Sequence, residues 1–139
     1  MEKLNHVYVY IDGASRGNPG EAGIGIVIKD PSGNKIKEHK EYVGKRTNNE
    51  AEYLALIKGL HLALSYCKKR VIIVSDSELI VKQRNGQYKT KKKHLKGLAS
   101  KVGKLQSMFG KVDYKHVERE LNKDADRLAN EAIEELSLK

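Results

Sequence analysis

Three features of the sequence predict an α/β domain built on a mixed five-stranded sheet. Three β-branched segments, near residues 7–12, 22–29 and 35–43, are separated only by Gly- and Pro-containing turns, the pattern of an antiparallel meander. A helix-length stretch then leads to the apolar run RVIIV at 70–74, as in a right-handed crossover to a strand parallel to the first. Helical segments, a last strand over 112–117 and a final amphipathic helix complete the order, within a length of 139 residues that suits one domain (1–139) with its own core.

In the first segment Val7, Val9 and Ile11 alternate with Tyr8, Tyr10 and Asp12, so the strand is covered on both faces and central to its sheet. It ends in Asp12-Gly13. A carboxylate at the end of a buried strand is costly unless something pairs with it. Asp-Gly is also the mark of an Asx turn, but three further acidic residues stand at the ends of similar elements. AGIGIVIK at 22–29 forms the second strand, and the charged, weakly alternating 35–43 suits an edge strand.

Thr47 or Asn48 can cap a helix running to about Tyr66. At about 100° per residue, Ala55, Leu56, Gly59, Leu60, Ala63 and Leu64 cluster around Glu52, whereas Glu50 falls near the edge of that arc. A carboxylate on a core-facing stripe is explained by a cap or salt bridge, or by a metal ion at the rim of the sheet. Asp76 ends the 70–74 strand as Asp12 ends the first. In open α/β sheets the ligand crevice lies at the carboxyl ends of parallel strands, and two carboxylates meeting there repel unless a cation lies between them. A helix starts at Glu78 and breaks at Asn85-Gly86; another spans about Lys91 to Phe109, with Leu95, Leu98, Val102 and Leu105 inward. Asn122 can cap the last helix, which turns Ala125, Leu128, Ala129, Ala132, Ile133 and Leu136 inward, with Asp126 at one edge of the stripe and Asp124 near the other. Periodicity does not choose between those two.

The net charge of +9 is concentrated. Residues 79–112 hold ten basic side chains and no acidic one, leaving 17 basic against 18 acidic elsewhere. So one-sided a window favours a polyanionic partner, and nucleic acid fits better than an anionic membrane because the window lacks an apolar face suited to lipid. The single cysteine, Cys67, excludes an intrachain disulfide and a cysteine-rich zinc site. With no signal segment or membrane-length apolar window, the expectation is a soluble, cytoplasmic protein without a membrane partner.

The strings IDGASRGNPG (11–20), TNNEAEYLAL (47–56), VSDSELIVKQRNG (74–86) and NKDADRLAN (122–130), in that order and context, resemble ribonuclease H of type 1, in the variety lacking the basic protrusion. The resemblance covers nearly the whole chain. It implies the ribonuclease H-like fold with strand order 3-2-1-4-5, and a metal-dependent endonuclease cutting the RNA strand of RNA–DNA hybrids to 3′-hydroxyl and 5′-phosphate ends. It also implies that Asp12, Glu52, Asp76 and Asp126 are the catalytic, metal-binding cluster, with Asp126 chosen over Asp124. Mg²⁺, two ions per site, is the implied cofactor, and Mn²⁺ is expected to substitute; such hard ions take oxygen ligands, and a pair can stabilise the attacking and leaving oxygens together.

By the same resemblance Gly13 lets the backbone approach the RNA, and Asn18, Asn48, Asn49 and Glu78 are placed for sugars or base edges. Arg46 and Thr47 suit a DNA-strand phosphate, and Lys91, Lys92 and Lys93 the duplex backbone. The chain departs from many relatives in having no Trp, leaving Tyr88 and the surrounding lysines to pack the DNA strand, and no His in the loop Glu118–Leu121 before the last helix. Glu120 and Asn122 are the candidates to approach the second metal there, while His116 is expected to be a structural residue held by the end of the last strand. A monomer without an obligate protein partner is expected. The competing functions are a non-catalytic hybrid-binding module, which loss of one acidic residue would favour, and a strand-transfer or resolvase enzyme, which would need further DNA-binding domains.

Overall fold

The computed structural model describes residues 4–86 and 93–137. Strands β1 (Val7–Ser15), β2 (Gly20–Lys29) and β3 (Lys35–Arg46) form the antiparallel meander. Helix α1 (Asn48–Ala63) crosses to β4 (Arg70–Ser75), which lies parallel to β1. Helices α2 (Glu78–Arg84) and α3 (Lys93–Gln106) lead to β5 (Lys111–His116), parallel to β4, and a 3₁₀ turn (Arg119–Asn122) leads into α4 (Lys123–Ser137). The strand order is β3-β2-β1-β4-β5, as expected, with β1 at the centre.

One face of the sheet carries the main core. Val7, Val9 and Ile11 of β1 and Val71 and Ile73 of β4 pack with Tyr53, Leu56 and Leu60 of α1 and with Leu95 and Val102 of α3, all buried. The α1 stripe therefore falls where its periodicity puts it, extended by Tyr53. Helix α4 covers the opposite face over β2, and its approach is set by glycine: a Cβ on Gly25 would lie 2.1 Å from the Ala125 carbonyl oxygen. The alternation of glycine with β-branched residues in β2 thus leaves one face bare enough for a helix backbone to lie on it. Leu136, expected inward, is 37% exposed in the last turn of α4, where it lines a pocket with Lys40 and Tyr42 of β3.

Two described helices end slightly inside the expected bounds, α1 at Ala63 and α3 at Gln106; the expected start of α3 at Lys91 lies outside the described residues. Thr47 caps α1 in a capping box, its hydroxyl accepting from the Glu50 amide while Glu50 accepts from the Thr47 amide. Asn122 does not cap α4. The chain enters that helix through the 3₁₀ turn, which buries Asn122 and lets its Nδ2 donate to the Ile11 carbonyl at 2.8 Å. Among the described residues no helix is long and apolar enough to cross a membrane.

Candidate active site

Asp12 reaches the cavity from the central strand. Beyond Ile11 the strand continues to Ser15, paired with Ala22, but its Asp12 side chain, 8% exposed, points to the end of the sheet. Glu52 arrives from the first turns of α1, Asp76 from the end of β4, and Asp126 from the first turn of α4. All four line one cavity of about 1000 Å³ at the carboxyl end of the parallel strands.

Each carboxylate has its own neighbour. The Ser77 hydroxyl donates to Glu52 Oε2 at 2.7 Å, and it also accepts from the Ile80 amide as the cap of α2. Arg119 Nε lies 3.8 Å from Asp76 Oδ2; because Arg119 is 81% exposed, the contact is weakly stabilising. Asn130 Nδ2 donates to Asp126 Oδ1 at 3.2 Å. Asp12 shares a hydrogen bond with Asp126. Burial, then repulsion from Asp76, pushes the Asp12 carboxyl up to about 9. Burial likewise raises Glu52 to about 7, against the lowering effect of the Ser77 hydrogen bond and with a further upward push from Asp76.

Such a cluster is destabilised by its own charge and relieved by a cation. The donors are all carboxylate oxygens, which suits a hard divalent ion such as Mg²⁺. No three His, Cys, Asp or Glu side chains among the described residues are already arranged around a common point.

Of the other sequence-predicted residues, Gly13, Asn48, Asn49 and Glu120 line the same cavity. Asn18 stands behind them, its Oδ1 accepting from the Asn48 amide at 3.2 Å. Arg46 folds back, its Nε donating to the Val43 carbonyl at 3.0 Å, and the Thr47 hydroxyl oxygen is engaged in the capping box. Glu78 lies outside the cavity, exposed at the start of α2 and paired with Lys82. Asn122 does not line this cavity; its Nδ2 donates to the Ile11 carbonyl, while its buried Oδ1 has no hydrogen-bond partner among the described residues. Lys91, Lys92, Tyr88 and the side chain of Lys93 lie outside the described residues.

Gly13 also meets a requirement of the fold itself. A Cβ there would lie 2.4–2.6 Å from backbone atoms of Ala51 and Glu52, so the missing side chain makes room for α1. His116 also differs from expectation. It ends β5 as predicted, but it is exposed and lines the cavity rather than packing in the sheet. Sequence reasoning missed Ser77, Arg119 and Asn130 as neighbours of the carboxylates. Ser77 alone carried a signal, as a cap residue immediately after Asp76.

The fold and this carboxylate cavity define a class first: residues 10–132 match the family described as reverse transcriptase-like. Within it, the chain is 38% identical over 134 residues to ribonuclease HI of Halobacterium salinarum, covering 96% of this chain and 67% of that protein. The crystal structure of RNase H1 from the same organism superposes with a TM-score of 0.90, covering 94% of this chain and 98% of that one. LC11-RNase H1, solved in complex with an RNA/DNA hybrid, is 41% identical with a TM-score of 0.89, covering 96% and 99% of the two chains. The chain belongs to the ribonuclease H family of enzymes. It is also 40% identical over 129 residues to a bifunctional protein of Mycobacterium tuberculosis, but those residues, 92% of this chain, span only 35% of that longer relative.

Proposed function

We propose that this chain hydrolyses the RNA strand of RNA–DNA hybrids, leaving 3′-hydroxyl and 5′-phosphate ends, with Mg²⁺ as cofactor and Mn²⁺ able to replace it. The observation that carries this reading is the convergence of Asp12, Glu52, Asp76 and Asp126, from four separate elements, on one cavity. The hybrid complex of LC11-RNase H1 supports the substrate class.

Two divalent ions would be held by these four carboxylates, Asp12 contributing to both ligand sets, Glu52 and Asp76 to one and Asp126 to the other. Two divalent ions held there would stabilise charge on the attacking and leaving oxygens and make a water acidic enough to attack. The chain's own residues supply the rest. Ser77 orients Glu52, which is also placed to accept a hydrogen bond from a 2′-hydroxyl, the group that separates RNA from DNA. Asn48 and Asn49 present polar groups at the cavity wall, and Asn18 braces the start of α1 behind them. Gly13 keeps α1 close enough for Glu52 to face Asp12. Arg46 and Thr47 at the start of α1 are proposed for the DNA strand, Glu78 for the minor groove, and Glu120 as an auxiliary group at the second ion. The protein is read as a cytoplasmic monomer.

The deciding assay offers a labelled RNA–DNA hybrid with Mg²⁺, with Mn²⁺ or with EDTA, beside matched RNA and DNA duplexes. Cleavage of the hybrid's RNA strand only, abolished by EDTA, is expected; equal cleavage of the DNA duplex would reject the reading.

Two further outcomes are expected. Replacing Lys91, Lys92 and Lys93 together by Glu should act mainly on KM and reduce the steepness of log affinity against log salt, since fewer phosphates are then neutralised and fewer counterions released. An unchanged slope would remove these lysines from the duplex interface. His116→Ala should lower kcat by about tenfold at most, below the roughly 10²-fold or greater effect of a positioned general acid or base. Among the described residues its ring makes no hydrogen bond to any of the four carboxylates, and its strand anchorage limits its movement. A hundredfold loss with unchanged thermal stability would instead identify it as the proton carrier.

A further inference from the structure

Asn130 uses every polar function of its side chain. Its Nδ2 donates to the Asp126 carbonyl at 2.9 Å and to Asp126 Oδ1 at 3.2 Å, while its Oδ1 accepts from Arg16 at 3.0 Å. An asparagine on a helix surface commonly bonds the carbonyl four residues back. The second bond, to the carboxylate, and the guanidinium on the opposite side are what distinguish this one. Both ends of the amide are matched to partners of fixed character, a carboxylate that only accepts and a guanidinium that only donates, so the amide has one orientation.

Arg16 is itself held from behind. It sits in the turn between β1 and β2, where its amide donates to the Glu21 carbonyl at 2.8 Å and its guanidinium also reaches Glu134 at 3.5 Å. The turn is tied to its surroundings at two more points. The Ser15 hydroxyl donates to the Arg46 carbonyl at 2.8 Å, and Asn18 receives the Asn48 amide at the start of α1. Arg16 and Asn130 are 114 residues apart in sequence, yet together they connect the turn that carries Asn18 with the carboxylate that α4 contributes to the cavity.

We propose that Asn130 is a positioning residue for Asp126, oriented in turn by Arg16, so that one hydrogen-bonded relay sets the α4 carboxylate and the β1–β2 turn together. The inference rests on the assignment of Asp126 as an ion ligand made above. A carboxylate restrained by an outer hydrogen bond binds an ion without losing rotamer freedom, and such outer partners are typically worth 10–100-fold in metal affinity. The guanidinium polarises the amide and strengthens its donated bonds. Because Arg16 lies in the turn that carries Asn18, seating of a substrate on that turn would bear on Asp126 through two side chains.

The test is Mn²⁺ binding, followed by calorimetry with and without an uncleavable 2′-O-methyl RNA–DNA duplex, in wild type, R16A, N130A, the double variant and D126N. Metal-free melting temperatures are recorded alongside. N130A should bind Mn²⁺ roughly tenfold more weakly with its metal-free melting temperature little changed, which a merely structural asparagine would not do. R16A should show a smaller loss that disappears in the N130A background, since a residue acting only through another has no effect once that other is gone. Arg16→Lys should restore part of it. Wild-type Mn²⁺ affinity in N130A together with weakened binding in D126N would overturn the relay and leave the ligand assignment standing. Additive losses from R16A and N130A would overturn the role of Arg16. Unchanged binding in D126N would remove the assignment itself, and the relay with it.

Discussion

Asp12→Asn is expected to abolish hybrid cleavage while making the metal-free protein more stable. The two effects have one origin. Folding carries Asp12 into a cavity wall where it is 8% exposed and faces Asp76, Asp126 and Glu52, and its carboxyl is pushed from 3.8 to about 9, first by burial and then by Asp76. Because the folded-state value lies above the unfolded one, the group favours folding only while it stays protonated. That contribution is intact below about pH 4 and is lost as pH rises toward 9. Glu52 acts in the same direction between its ordinary 4.5 and about 7. The metal-free wild type should therefore lose stability from pH 4 to 9, and Asp12→Asn, which resembles the protonated acid and can still donate to Asp126, should flatten that decline. In a domain of this size each ~1 kcal/mol relieved raises Tm by several degrees. Mg²⁺ should reverse the order, because only the intact cluster gains the linkage stabilisation of bound ions. Asp76→Asn should behave alike, since it removes the largest charge repulsion on Asp12. Normal turnover by either purified variant would refute the two-ion assignment, and a metal-free Tm below wild type at pH 8 would refute the electrostatic account.

What is legible in the sequence follows the range of the physics involved. The alternation of Val7, Val9 and Ile11 and the stripe on α1 are local periodicities, and both describe the observed core. Asp12, Glu52 and Asp76 are conspicuous because a carboxylate on a buried stripe or strand end contradicts local patterning. Asp126 is not separable from Asp124 by its own helix, since both flank the apolar stripe. The structure separates them by what they face: Asp124 pairs with Lys35 of β3 at 2.9 Å, whereas Asp126 enters the cavity beside Asn130. Asn122 misleads because an Asn before a helical pattern is a cap signature, while the carbonyl it serves belongs to Ile11, 111 residues away. Likewise, no local signal links Arg16 to Asn130. Side-chain pairs across the sheet are decided by register and layer order, which only the assembled fold supplies.

Gly13→Ala is expected to impair both folding and activity, more than replacement of a residue with no carboxylate or hydroxyl would ordinarily do. Gly13 pairs with Ile24 in β2 and sits one residue past Asp12, so its backbone is fixed by the sheet. A methyl group there would stand 2.4 Å from the Ala51 carbonyl carbon, 2.5 Å from the Glu52 nitrogen and 2.6 Å from the Ala51 carbonyl oxygen. All three are backbone atoms within a capped helix whose start is locked by Thr47 and Glu50, so no side chain can swing aside. Either β1 bends or α1 moves away by about 1 Å. Overpacking of this kind typically costs about 1–3 kcal/mol. The same displacement carries Glu52 away from Asp12, and a shift of about 1 Å in a catalytic group can reduce rate by about 10²-fold. Thermal melting and kcat on a hybrid should therefore both fall, with Mn²⁺ affinity declining as Glu52 recedes. A glycine needed only for close approach of RNA would show a different pattern: unchanged melting and Mn²⁺ affinity with a raised KM. That result would show that the contact with α1 is not what requires glycine at this position.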